Sequence, residues 1–125
     1  MLPGPRRIRR ASQFRAVMRT GSRAATGTVV VHALVGVEGQ PARAGFVVGR
    51  SVGGSVVRNR VTRQLRHLIG ARLTDLPAGT DLVVRAQPPA AHASGAQLAR
   101  DVDSGLRRAL TRLGQQPRTP AGVSR

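Results

Sequence analysis

Five carboxylates, three imidazoles and no thiol are the groups from which this 125-residue chain could build a catalytic centre. A metal-dependent nuclease needs clustered carboxylates, and general acid–base catalysis needs a pair within reach of one bond. The acids are Glu38, Asp75, Asp81, Asp101 and Asp103. Asp75 and Asp81 flank a turn and a strand start, where capping accounts for them. Asp101 and Asp103 stand two apart on a predicted helix, so they do not share a face. His32, His67 and His92 fall on three different elements. The absence of cysteine removes disulfides and thiolate metal sites. Residues 49–55 (GRSVGGS) are glycine-rich but lack the Gly-Lys-Ser/Thr ending of a nucleotide-binding loop. They predict a tight turn before a helix N-terminus, an end that can also hold a phosphate. The expectation is a protein with no catalytic residues, no metal site and no cofactor of its own.

Charge points to binding instead. Twenty-one basic residues, all arginine, face the five acids and give a formal net charge of +16. Base composition of the genome can account for the missing lysine, but not for the shortage of acids. The planar guanidinium pairs bidentately with phosphate and stacks on bases, so a polyanionic partner is expected. An anionic membrane fits less well, because no basic amphipathic helix carries large apolar anchors. No apolar run approaches the roughly 20 residues of a membrane span, and no apolar segment follows the basic N-terminus. The expected location is the cytoplasm. With two Phe and no Tyr or Trp, the core must be aliphatic, and a platform of several aromatics for stacking bases is not available.

The elements that would position these arginines follow from periodicity. Residues 9–18 predict a short first helix with Phe14, Val17 and Met18 on one face and Ser12 as N-cap. Residues 21–27 suggest a turn and a short edge strand. Two β-branched runs, residues 28–35 and 44–48, predict strands, and the intervening EGQP turn predicts that they pair as a hairpin. Val57, Val61, Leu65, Leu68 and Ile69 define the apolar face of a helix over residues 56–73, with Ser55 as its N-cap. Residues 81–86 (DLVVRA) predict a buried strand. Leu98, Val102, Leu106, Leu110 and Leu113 predict a last helix, weakened by Gly105 within it. The fold class is α+β, a two-layer α/β sandwich in the order αβββαβα, with helices against one sheet. The predicted organisation is a flexible basic N-terminus over 1–7, a single domain over 8–113 and a disordered tail over 114–125.

The second helix concentrates the signal. Opposite its apolar face, Asn59, Arg63 and Arg66 project outward, flanked by Arg60 and His67. No acid on this helix balances them. Arg58 falls near the apolar edge and can serve only by reaching past the helix end.

The stretch GFVVGRSVGGSVVRNRVTRQLRHLI over residues 45–69 resembles the protein component of bacterial ribonuclease P. A strand, a glycine-containing turn and a helix with an Arg-Asn-Arg core, here Arg58, Asn59 and Arg60, carry the resemblance. It extends loosely from residue 6 to residue 113 and includes Phe14, Gly21 and the DLVVRA strand. It implies a left-handed βαβ crossover, against the usual right-handed rule. It also implies two RNA partners. The RNA subunit, which is the catalyst, would bind Arg58, Asn59, Arg60, Arg63 and Arg66. The single-stranded 5′ leader of precursor tRNA would lie in a cleft between the first helix and the sheet, against Phe14, Met18, His32 and Arg50. Magnesium is then expected for the RNA-containing holoenzyme.

Several positions depart from the family pattern. Met18 and His32 stand where aromatics are common, Gly54 where Asn is common, and Thr62 where a basic residue is frequent. The cleft is therefore less aromatic than usual. Phe14 and Met18 are open to two readings, as an i, i+4 core pair or as cleft lining. A basic ribosomal-type structural protein or RNA chaperone is the alternative function, distinguished by not needing the Arg-Asn-Arg helix.

Overall fold

The computed structural model describes residues 6–36 and 39–115. Three helices, α1 (Ala11–Thr20), α2 (Ser55–Gly70) and α3 (Gly95–Gln115), accompany four strands, β1 (Ser22–Ala25), β2 (Val29–Val35), β3 (Arg43–Val47) and β4 (Thr80–Ala86). Short 3-10 turns occupy Leu73–Asp75 and Pro88–Ala91.

The strands sort by how apolar their two faces are. β2 and β4 bury residues on both faces and take the centre of the sheet, in the order β1-β2-β4-β3. β4 runs antiparallel to β2 and parallel to β3. The expected hairpin between the two β-branched runs is therefore corrected: β2 and β3 do not pair, and β4 lies between them. Pairing β2 with β3 directly would have left Leu82, Val83 and Val84 at an exposed edge. β3–α2–β4 is the parallel βαβ unit whose crossover the resemblance makes left-handed.

One face of the sheet carries the main core. Val61, Leu65 and Ile69 of α2 and Leu98, Val102, Leu106 and Ala109 of α3 pack against Ala24, Val29, Val31, Ala33, Ala44, Leu82 and Val84. Gly105 has a packing reason: a Cβ there would stand 2.8 Å from a methyl of Val31, so the glycine lets α3 lie close on β2. α1 sits on the opposite face. Its Val17 joins Ile8 and Val83, bordered by Phe14, Met18, Leu34 and Val47. The helices thus divide between the two faces, α2 and α3 forming the full layer and α1 covering part of the other.

The ends of the elements refine the expectations. Arg10, not Ser12, is the N-cap of α1, and the Gln13 side chain accepts from the N–H groups of Arg9 and Arg10. Gly54 caps α2, with Ser55 already inside the helix. α2 stops at Gly70, and the apolar Leu73 is buried from the 3-10 turn that follows. Ser94 starts α3 by accepting from the N–H of Gln97. At the N-terminus, Arg7 bridges to Ala44 and the Ile8 N–H donates to the Ala44 carbonyl. The segment expected to be loose over 1–7 is thus fixed at Arg7 by the β3 edge, while residues 1–5 lie outside the described residues. Gly114 and Gln115 belong to α3. The rest of the expected tail, 116–125, also lies outside them.

Candidate RNA interface

The acids account for themselves first, because they decide which arginines are free. Asp81 receives both Nε and Nη2 of Arg43, at 2.9 and 2.8 Å. Hydrogen bonding to that carboxylate raises the Arg43 pKa further, against the opposing pull of burial. Asp103 receives Arg72 in the same forked manner. Asp101 accepts from the N–H and hydroxyl of Thr28 and from Gln97. The capping role expected for Asp81 is corrected: it is an ion-pair partner across neighbouring strands. Among the described residues no three His, Asp or Glu side chains converge as metal ligands.

α2 presents its arginines as the periodicity predicts. Val61, Leu65 and Ile69 anchor it, while Asn59, Arg63 and Arg66 are exposed. No acid pairs with Arg63 or Arg66 among the described residues. Arg60 differs: its Nη2 donates to the Ala91 carbonyl at 2.5 Å, which ties α2 to the turn before α3. Arg58 is half-buried, and its Nε has no hydrogen-bond partner among the described residues. That matches its place at the apolar edge of the wheel.

The four cleft residues do not form one surface. Phe14 packs on β3, where a Cβ at Gly45 would stand 2.5 Å from two of its ring carbons. It also lines a depression with Arg7, Phe46, Thr62 and Arg66. This depression places Arg66 of α2 beside Phe14 of α1, joining two regions that the sequence treats separately. Met18 packs with the α1-side core. Arg50 is exposed in the turn after β3. His32 is only 3% exposed, so it is not an open cleft wall.

His32 sits in a cluster that sequence reading missed. Its Nε2 accepts from Nε of Arg85 at 3.2 Å, which leaves the ring neutral with its proton on Nδ1. That Nδ1 is buried and has no partner among the described residues. Arg23 of β1 stands directly opposite His32, and Arg85 of β4 opposite Val30 on the other side of β2. Burial, followed by the charges of Arg85 and Arg23, lowers the His32 pKa from 6.5 to about 4. The signal lay in DLVVRA: Arg85 shares a face with Val83, and β2 carries His32 on that same face.

The depressed pKa has a consequence for stability. The native ring resists a proton that the unfolded chain accepts below pH 6.5, so this contribution is complete above pH 6.5. It is lost as pH falls from there towards 4, by about 1.4 kcal/mol per pH unit. Urea unfolding between pH 7.5 and 4.5 should show this slope in the wild type and lose it in His32→Gln. An unchanged slope in the variant would assign it to other groups.

Comparison with known proteins bears on all of this. A family model described as Ribonuclease P matches residues 2–110. The chain is 52% identical over 118 residues to the ribonuclease P protein component of Nocardioides sp., covering 93% of this chain and 97% of the relative. It is 52% identical over 106 residues to that of Beutenbergia cavernae, covering 85% and 89%. Among solved structures, the RNase P protein of Staphylococcus aureus superposes with a TM-score of 0.73 at 23% identity, over 83% of this chain and 94% of that one. The Thermotoga maritima RNase P protein in complex with 1-(4-fluorophenyl)-2-thiourea gives 0.71 at 21% identity, over 81% and 97%. At those identities the structural likeness speaks for the fold alone.

Proposed function

The chain belongs to the ribonuclease P protein family, and from that premise we propose that its two basic surfaces divide the enzyme's two RNAs between them. The outer face of α2, with Asn59, Arg60, Arg63 and Arg66 and with Arg58 at its edge, binds the catalytic RNA subunit. The side of the sheet shared with α1 receives the 5′ leader of precursor tRNA: of the four residues expected there, Phe14 borders the open depression, while Met18 and His32 support it from the interior and Arg50 stands apart in the turn after β3. The observation that carries this reading is the pairing of the acids. Asp81, Asp101 and Asp103 are committed to internal partners, and Arg63 and Arg66 stand exposed with no acid paired to them among the described residues. A helix anchored by its apolar back and bearing unpaired guanidinium groups is suited to phosphates.

In this reading the chemistry belongs to the RNA, which holds the magnesium for the cleavage. The pairing of Asp81, Asp101 and Asp103 with internal partners supports it. The protein binds and orients, and it works in the cytoplasm with its RNA.

Purified protein is therefore expected to leave precursor tRNA intact, and addition of the RNA subunit at low magnesium should give 5′ processing. Cleavage by nuclease-free protein alone would overturn the assignment of chemistry. Copurification with ribosomal RNA in place of a large structured ribonuclease P RNA would favour a ribosomal-type role.

A further inference from the structure

The basic cluster on the open part of the sheet needs a reason. Arg23 and Arg85 flank His32 diagonally from the two strands beside β2, their backbones about 12 Å apart by two strand spacings across and two residues along. Like charges on one sheet face oppose folding. Among the described residues no carboxylate compensates them. Arg85 gives only its Nε to His32, so its two terminal nitrogens remain available. The Arg23 side chain is exposed, and its backbone carbonyl is held from the far side by Arg112 of α3. His32, at 3% exposure, is too buried to reach a ligand and serves to hold Arg85 through its Nε2. Two guanidinium groups on one face, with no carboxylate paired to either among the described residues, amount to a site for an anion. The face offers little to a base: His32 is too buried to stack, and the two phenylalanines lie elsewhere, along β3.

We propose that Arg23 and Arg85, with His32 between them, form a phosphodiester-binding site on the sheet, so that the leader is held there by its backbone and not by stacked bases. The proposal rests on the leader reading given above and names the chemistry by which that surface works. It makes this part of the interface indifferent to leader sequence and sensitive to salt.

The test uses holoenzyme reconstituted with wild-type, Arg23→Gln, Arg85→Gln or Arg107→Gln protein. Arg107 is exposed on α3, and its substitution removes the same charge at a distance. Circular dichroism and melting establish that each variant folds. Affinity is measured against salt for four ligands: precursor tRNA, the same with uncharged methylphosphonate linkages in the leader, the same with an abasic leader, and mature tRNA. Each cluster variant should weaken precursor binding and flatten the log K versus log salt line by about 0.7, the single-strand value for one phosphate contact. Arg107→Gln and mature tRNA should show no such change. The methylphosphonate leader should weaken wild-type binding, and the cluster variants should then lose nothing further. The abasic leader should retain the wild-type affinity. If the abasic leader loses affinity and the methylphosphonate one does not, the bases are read and the phosphate site is overturned, while the leader reading stands. Equal behaviour of the cluster variants and Arg107→Gln overturns it as well. If wild-type holoenzyme does not distinguish precursor from mature tRNA, the leader reading fails and takes this site with it.

Discussion

Replacing Arg63 and Arg66 together by Ala is expected to flatten the salt dependence of RNA-subunit binding by roughly 1.4 to 1.8 in log K versus log salt, since two phosphates then keep their counterions. The size follows from counterion release, at about 0.7 per neutralised phosphate for single strands and 0.9 for duplex. Both side chains are exposed, and Val61, Leu65 and Ile69 hold the helix from behind, so melting should move little. The control is Arg118→Ala with Arg125→Ala, which removes equal charge from the C-terminal segment outside the described residues. Filter binding between low and moderate salt reads the slopes. If the control pair flattens the line as much as the helix pair, the attraction is diffuse and α2 has no special claim to the RNA. Arg60→Ala should behave differently from either. Its guanidinium is tied to the Ala91 carbonyl, so its loss should lower stability as well as affinity.

Period and composition make the helical parts readable. The i, i+4 ladder from Val57 to Ile69 identifies both the buried and the free face of α2, because one residue type covers each. The same wheel puts Arg58 at the apolar edge, where the structure half-buries it. Strand pairing is not readable, because β-branched runs say that a strand exists but not what lies beside it. β2 and β3 are adjacent in sequence across a turn, and nothing local reveals that β4 must insert between them. That choice is made by burial: Leu82, Val83 and Val84 need cover on both faces. The cleft suffers from the same gap. Of the basic cluster on the sheet, sequence singles out His32 alone, and only the register across β1, β2 and β4 brings Arg23 and Arg85 to it. Phe14, open to two readings in the sequence, packs on Gly45 and borders the depression that holds Arg66. Capping explains an acid from its immediate neighbours, so it is the reading that sequence favours. The partners found in the fold are distant along the chain, Arg43 being 38 residues from Asp81 and Arg72 being 31 from Asp103.

Asp81→Ala is expected to be among the most damaging single substitutions in the chain, costing about 3–5 kcal/mol. The two parallel strands β3 and β4 meet at Arg43 and Asp81, which are Cα partners in the register. The side chains are 17% and 9% exposed, and the pair is bidentate. Removing the carboxylate leaves a guanidinium largely out of water with nothing to receive its two N–H groups, and it does so in a protein already carrying +16. The Asp81 carboxylate also lies against Gly36, where a Cβ would stand 2.7 Å from its Oδ2, so the end of β2 loses packing too. At about 3–5 °C per kcal/mol for a domain of this size, the melting temperature should fall by at least about 9 °C. Asp81→Asn keeps the shape and one acceptor but not the charge, and should fall between. The decisive variant is the double substitution Arg43→Met with Asp81→Leu. Burial imposes a desolvation penalty on both ions, so an apolar pair of similar volume should recover most of the lost stability. Thermal melting of the four proteins in one buffer makes the comparison. A cost below about 1 kcal/mol for Asp81→Ala would mean that the pair behaves as a solvated surface pair. Failure of the double variant to improve on the single one would mean that the β3–β4 junction depends on the fork of hydrogen bonds itself, and not merely on avoiding an unpaired buried charge.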